Sequence, residues 1–284
     1  MTVIFTDNYY NYHGDGSVNV FVFDIETIPD VQSARRLNPQ FNTLSDAEIA
    51  ESMFAARRQE TNGSEFLPLH MQKIACISVV LRSGSRLKVW SLGEEQSDEK
   101  EIITRFFAGI ERYQPTLVSW NGSGFDLPLL HYRALLHGVV SPTYWNVGEE
   151  DTNFRWNNYL NRYHYRHTDV MDMLSGYQAR ASAKLDDIAS LLGFPGKMGM
   201  DGSQVWPEFS KGNLAKIRDY CETDVLNTYL VFLRFEMIRG RLTEDYYFDE
   251  LSRLREWLLT AGKPSFTQFV ETWDKSAAAL SEAV

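Results

Sequence analysis

Cysteine is scarce in this chain, long apolar runs are missing, and basic charge is in deficit. The two cysteines, Cys76 and Cys221, lie far apart and match no zinc-ligand spacing. They read as reduced, buried thiols of a cytosolic protein. No apolar segment approaches the length needed to span a bilayer. The first residues, Met1 to Tyr10, hold neither a basic stretch nor an apolar run, which argues against a secretory signal. A soluble, cytoplasmic protein is therefore expected. No repeat, low-complexity linker or shift of composition divides the chain, and no loop resembles an EF-hand, which excludes a structural calcium protein of that type. Net charge is −10, which at first sight argues against a polyanionic partner. Bound divalent cations would offset part of that charge, however, and local basic groups can serve a strand on an acidic protein. Such groups are Arg35-Arg36, Arg57-Arg58, and Arg162 and Arg166 among His164 and His167. Taken singly, each is more often a solvated face.

What is present is a core. At 284 residues and 44% apolar composition, with seven Trp, fourteen Tyr and seventeen Phe, the chain can bury a large one. Residues 1–18 read as a polar leader ending in Gly14-Asp-Gly-Ser. Val20 to Ile25 predicts a strand, and residues 43–60 an inserted helix, with Ser45 as cap and Glu48 three residues on. The runs 73–81 and 86–90, joined by Ser83-Gly-Ser, predict a hairpin. A helix over about 97–111, a strand over 116–120 and a helix near 127–137 follow. A loop-rich aromatic stretch then runs to about residue 168, with mostly helices to the end. Strands first and helices later predict an α/β or α+β protein, the former preferred: a mixed sheet flanked by helices, with a mostly helical C-terminal region.

Three short segments carry chemistry. Asp24 and Glu26 are two apart on the first strand, so both point to one face with Val20 and Val22, while Phe21, Phe23 and Ile25 take the other. A run apolar on both faces reads as a central strand, where two acids at its end are costly without a partner. Asp126 follows Asn121-Gly-Ser-Gly-Phe at the carboxyl end of a strand, where α/β sheets tend to place ligands. Ahead of Leu127-Pro128 it also reads as a helix cap. Tyr220 and Asp224, four apart in a long helix over about 215–239, share a helical face. Each segment alone has an ordinary structural reading: a surface strand end, a cap, a packed tyrosine. Asp169 and Asp172 read as a cap and an exposed acid, and 184–193 as a packing helix. The loop 196–203 reads as a surface loop or, more sharply, as a flap touching a strand.

Together, in this order and at these separations, the segments resemble the DEDD superfamily of 3′–5′ exonucleases in its tyrosine subgroup. The nearest likeness is to the proofreading domain of family B DNA polymerases and to stand-alone bacterial proteins of that kind. The histidine subgroup requires His five residues before the last acid, and that position here is Asp219. The resemblance covers about residues 18–240, with no polymerase part in the chain. It implies a ribonuclease H-like domain over 19–240 and, over 241–284, a helical extension packed on it. It implies that Asp24, Glu26, Asp126 and Asp224 hold two Mg²⁺ or Mn²⁺ ions, with Asp24 touching both, and that Tyr220 orients the attacking water. Two metals roughly 4 Å apart can activate a nucleophile and neutralise a leaving oxygen, and hard oxygen ligands suit Mg²⁺. Thr27, Ile28, Asn121 and Phe125 flank the motifs as candidate contacts to the terminal nucleotide. The expected activity is removal of 5′-mononucleotides from the 3′ end of single-stranded nucleic acid, DNA before RNA. The alternatives are an exoribonuclease and a catalytically silent nucleic-acid-binding module on the same fold.

Overall fold

A computed structural model describes residues 19–283, so the predicted leader lies outside the described residues. Five strands form one sheet in the order β3-β2-β1-β4-β5. They are β1 (Val20–Pro29), β2 (Gln72–Ser83), β3 (Arg86–Ser91), β4 (Thr116–Ser119) and β5 (His167–Asp169). β1 is central, antiparallel to β2 and parallel to β4. β3 extends the antiparallel side and β5 the parallel side. This is the mixed sheet of the ribonuclease H-like fold.

The alternation along β1 divides the core as the sequence predicts. Phe21, Phe23 and Ile25 pack under α3 (Glu99–Tyr113) and α4 (Asp126–His137), against Phe106, Phe107 and Leu130. Val20 and Val22 face a larger cluster on the opposite side. It is built by α9 (Leu214–Ile238), α10 (Glu244–Thr260) and α11 (Pro264–Ala283), the last two contributing Tyr247, Leu254, Phe269 and Trp273. The buried Arg82 guanidinium on β2 pairs with Glu250 of α10 at 2.6 Å, and Tyr229 of α9 donates to the same carboxylate at 2.8 Å. The C-terminal helices thus share the core of the sheet.

Between β1 and β2 the chain makes an excursion over residues 30–71, called the arm below. It holds α1 (Val31–Leu37), a 3-10 turn at Pro39–Thr43 and α2 (Asp46–Thr61). Ser45 and Glu48 form the expected capping box, so the helix begins at Asp46 rather than at 43. The arm has a small core of its own, Val31, Ile49, Met53 and Leu67. It is fastened at its root. Asp30 caps α1 and pairs with the buried Arg133 of α4, whose other nitrogens hold Glu99 at 2.6 and 2.7 Å. The remaining elements are α5 (Pro142–Trp145), α6 (Val170–Leu174), α7 (Leu185–Leu191) and α8 (Val205–Ser210).

Two sequence expectations are corrected here. The loop-rich stretch conceals β5, a three-residue buried strand whose His-Thr-Asp sequence carries no apolar alternation. Asp126 does not cap α4. It is the first helical residue, and Phe125 precedes it with no side-chain cap bond.

Candidate active site

The three segments converge at one end of β1. Asp24 and Glu26 emerge on the α9 side of the central strand. Opposite Glu26, β2 carries an irregularity: Glu26 faces Cys76 while Thr27 faces Ile74, so Ala75 is the extra residue. Such bulges re-aim side chains. Glu26 is 9% exposed and Asp126, at the start of α4, 3% exposed. From α9, Tyr220 and Asp224 face the same point one turn apart, with Cys221 between them. The Cys221 thiol approaches the Asp24 carboxylate at 3.5 Å and its carbonyl oxygen at 3.4 Å. Donor atoms of Asp24, Glu26 and Cys221 all lie within 4.8 Å of one another.

The segment carrying Asp126 is built with care. After β4 the chain turns at Asn121, which adopts a left-handed φ of 63°. Gly122 follows because a Cβ there would stand 2.2 Å from the Ser119 hydroxyl. The Asp169 carboxylate accepts from the amides of Asn121 at 2.9 Å and Ser123 at 2.8 Å, and also caps α6 through Asp172. Asp169 is therefore a cap, as read, and in addition the brace of this loop. Asp172 is not exposed as expected but half-buried, paired with Arg162 at 2.7 Å. The other end of β5 is fixed by the buried His167, which meets Ser119 at 2.8 Å and which burial pushes down to about 4, hence neutral.

Electrostatically the cluster is poorly compensated, the Lys197 charge acting on Asp224 without reversing the effect of burial. Burial pushes the Asp24 carboxyl up to about 6. Asp224 is pushed up to about 7, first by burial and then by Asp24. Glu26 and Asp126 are held well above the usual carboxylate range by burial and by neighbouring acids. The Tyr220 phenol is driven up by burial and by Asp224, Glu26 and Asp24, and stays protonated. Among the described residues, no lysine, arginine or histidine bonds any of the four carboxylates, and the buried Oδ1 of Asp126 has no partner at all. An unpaired oxygen among converging acids is what a cation would satisfy. The donor set is hard oxygen, which fits Mg²⁺ or Mn²⁺. The sulfur beside Asp24, that of Cys221, is held as a thiol by burial and acts as a donor.

The candidate nucleotide contacts separate. Glu26, Thr27, Ile28 and Phe125 line one cleft of about 650 Å³. Asn121 opens away from it, into two smaller clefts. One of these, about 330 Å³, is shared with Asp224, Lys184 and Lys197. Lys197 is exposed on a loop tied to α9, where the Asn227 amide donates to the Gly196 carbonyl at 2.9 Å. Sequence reasoning missed Lys197, Asp169 as a brace and Cys221 as a neighbour of Asp24. Lysine among glycines and an acid ending a short strand were the signals available. Most basic pairs read from the sequence prove internally engaged: Arg35 with Asp46, Arg57 with Glu60, Arg58 with Glu51 and Glu65, and Arg166 stacked on Phe154.

Residues 64–273 match a family described as "Predicted 3'-5' exonuclease related to the exonuclease domain of PolB". The chain belongs to that family. The match holds Asp126, Tyr220 and Asp224, while Asp24 and Glu26 precede it. A "DNA polymerase" of Archaeoglobus fulgidus is 27% identical over 137 residues, which cover 47% of this chain and 17% of the polymerase. Among solved structures, the family B DNA polymerase from the hyperthermophilic archaeon Pyrobaculum calidifontis is similar with a TM-score of 0.46 and 17% identity. That likeness covers 78% of this chain and 24% of the polymerase. The chain thus spans a quarter or less of either polymerase. Among the described residues, no helix is long and apolar enough to cross a membrane.

Proposed function

We propose that this protein is a metal-dependent 3′–5′ exonuclease that removes single nucleotides from the 3′ end of single-stranded nucleic acid. DNA is the proposed substrate, in keeping with the DNA polymerase it resembles in sequence. The observation that carries the reading is the convergence of four carboxylates that, among the described residues, no basic side chain bonds, one of them with an orphaned buried oxygen. A silent binding module would have no use for so repulsive a cluster.

In this reading Asp24, Glu26, Asp126 and Asp224 hold two divalent ions, Mg²⁺ or Mn²⁺, with Asp24 shared because it faces the other three. The ions would supply an activated water and neutralise charge on the attacked phosphate and the leaving 3′ oxygen. The Tyr220 hydroxyl, kept protonated, orients the water toward phosphorus. Water adds across the terminal P–O3′ bond: the shortened strand keeps its 3′ hydroxyl and the last nucleotide departs as a 5′-monophosphate. In this reading the Lys197 ammonium, in the cleft it shares with Asp224, meets a phosphate of the strand. Free, buried Cys76 and Cys221 accord with a cytoplasmic setting.

The test is degradation of end-labelled oligomers with Mg²⁺, Mn²⁺ or EDTA. Stepwise shortening from the 3′ end, faster on DNA than RNA and abolished by EDTA, is expected. Cleavage of a circular single strand, or products lacking a 5′-phosphate, would contradict the proposal.

A further inference from the structure

One basic, aromatic segment plays no part in the chemistry just described. It starts in the stretch 146–166 between α5 and β5, whose regularity is limited to the 3-10 turn Thr152–Phe154. Irregular stretches beyond ~12–15 residues are uncommon in compact domains unless they serve a function. This one is held by its own asparagines. The Asn157 side chain accepts from the Tyr165 and Arg166 amides, both at 3.0 Å. That of Asn158 accepts from the amides of Leu160 at 3.2 Å and Asn161 at 3.0 Å. These bonds fix the backbone while Tyr163 stays 64% exposed. A loop that orders itself yet leaves a large ring in water is built to present it.

Charge and rings are interleaved around that tyrosine. The Arg162 guanidinium lies 5.1 Å from the Tyr177 ring and 6.0 Å from that of Tyr163. The two rings meet edge to face at 4.9 Å, which leaves the outer face of Tyr163 open. Tyr177 holds its place at a φ of 62°, uncommon for a bulky residue. Arg162 pairs with Asp172 through one nitrogen, and 46% of its side chain is exposed, so donors remain for a second anion. In a chain of net charge −10, residues 162–184 carry Arg162, Arg166, Arg180 and Lys184 against Asp169 and Asp172. Both of these acids are engaged, Asp169 by loop amides and Asp172 by Arg162. The acidic run Glu149-Glu150-Asp151 bounds the patch beyond Arg155, against which Gly148 packs.

The patch is continuous with the acid cluster. Arg162 lines one small cleft with Asn121, and Asn121 lines the next with Lys184, Lys197 and Asp224. Asp186, in that second cleft, accepts from the Lys197 amide at 2.7 Å. Exposed Arg180 lies in the chain between Tyr177 of the first group and Lys184 of the second.

We propose that Arg162, Tyr163, Tyr177 and Arg180 form a second docking surface, which grips a single strand of nucleic acid several nucleotides before its 3′ end. The inference rests on the exonuclease reading for the direction of that strand, whose terminal phosphodiester lies at the four acids. Phosphates meet Arg162 and Arg180, and a base lies on the open face of Tyr163. Every base has a face to stack, so the grip is sequence-tolerant. Bases inside a duplex hide their faces, so the surface selects unpaired strand.

The test is binding of 5′-labelled DNA oligomers, read by fluorescence anisotropy with Ca²⁺ in place of Mg²⁺. The wild type should hold an oligomer of about 12 nucleotides at least roughly tenfold more tightly than one of about 3. Tyr163→Ala should lose roughly tenfold on the longer oligomer, as for one stacked base, and Tyr163→Phe should restore it. Tyr163 is exposed, so the fold persists in both, which a melting curve verifies. Arg162→Gln should make the fall of log K with log salt shallower by about 0.7, one phosphate contact fewer. Arg105→Gln, which removes a guanidinium paired with Glu101 on α3, should leave that slope as it was. Wild-type affinity in Tyr163→Ala, an unchanged slope in Arg162→Gln, or a duplex held as tightly as the single strand overturns the surface. So does a dimer that Tyr163→Ala dissociates, which assigns the face to a second copy of the chain. Length-dependent binding by a wild type that degrades no oligomer with any metal upholds the surface and removes the exonuclease reading.

Discussion

The protein buries two acid clusters, and they are built in opposite ways. At the root of the arm, Asp30 and Glu99 surround Arg133, with His137 on Glu99 at 2.7 Å and the Ile74 amide on the same carboxylate at 2.7 Å. That cluster is closed, its cation built into α4, and hydrogen bonds from Ser33 first and from Arg133 next hold the Asp30 carboxyl below its ordinary range. At the end of β1, Asp24, Glu26, Asp126 and Asp224 converge with no such cation, and their carboxyls are pushed upward. Acids withdrawn from water with and without a resident cation are the difference between a structural clasp and a site that waits for a ligand.

The comparison breaks most visibly on turnover. Asp24→Asn removes the carboxylate facing the other three and should bring nucleotide release from labelled oligomers below detection, together with the stabilisation given by metal. A variant that keeps wild-type turnover would place the chemistry elsewhere. Next in size is the clasp. Glu99→Gln leaves the buried Arg133 half-paired and should destabilise the fold by about 3–5 kcal/mol in denaturant unfolding. Its melting temperature should respond to Mn²⁺ by the same increment as the wild type. Tyr220→Phe keeps the ring and deletes the hydroxyl. Turnover should fall by a factor on the order of 10², with metal-induced stabilisation unchanged; full activity would make Tyr220 a packing residue.

The smallest effect is on pH. Asp24 and Asp224 titrate near 6 and 7 in the fold against an ordinary carboxylate value of 3.8. A raised pKa means that the folded state binds protons more tightly than the unfolded one. That contribution is therefore complete below about pH 4 and lost as pH rises through 6 to 7. Metal-free protein should lose stability over this window, and Asp126→Asn, by reducing the repulsion, should flatten the loss. A stability that climbs steadily from pH 4 to 7 without metal would show the acids are not in conflict.

Much of this was readable from the chain. The face of Asp24 and Glu26 follows from strand alternation, that of Tyr220 and Asp224 from helical spacing, and the start of α2 from Ser45 and Glu48. These are local rules. The readings that failed depend on what distant segments do. Asp126 could be read as a cap because its neighbours suit one, whereas its surroundings are set by β1 and α9. Asn121 and Phe125, read together as candidate nucleotide contacts, line different clefts, a division that the spacing of the motif does not reveal. β5 is held by pairing with β4 rather than by any pattern of its own. That the arm reaches Phe125 and Trp206 is a fact of tertiary folding, invisible in residues 30–71.

The most direct test of the open acid cluster is a metal titration of the melting temperature near pH 7, with EDTA as the baseline and Asp24→Asn and Asp126→Asn alongside. Ions that bind only the folded state stabilise it in proportion to the logarithm of their excess over Kd. Millimolar Mn²⁺ or Mg²⁺ should raise the wild-type midpoint in a saturable manner, and either substitution should blunt the rise. A wild-type curve that does not move with either metal, or variants that shift as far as the wild type, would contradict a metal site at Asp24, Glu26, Asp126 and Asp224.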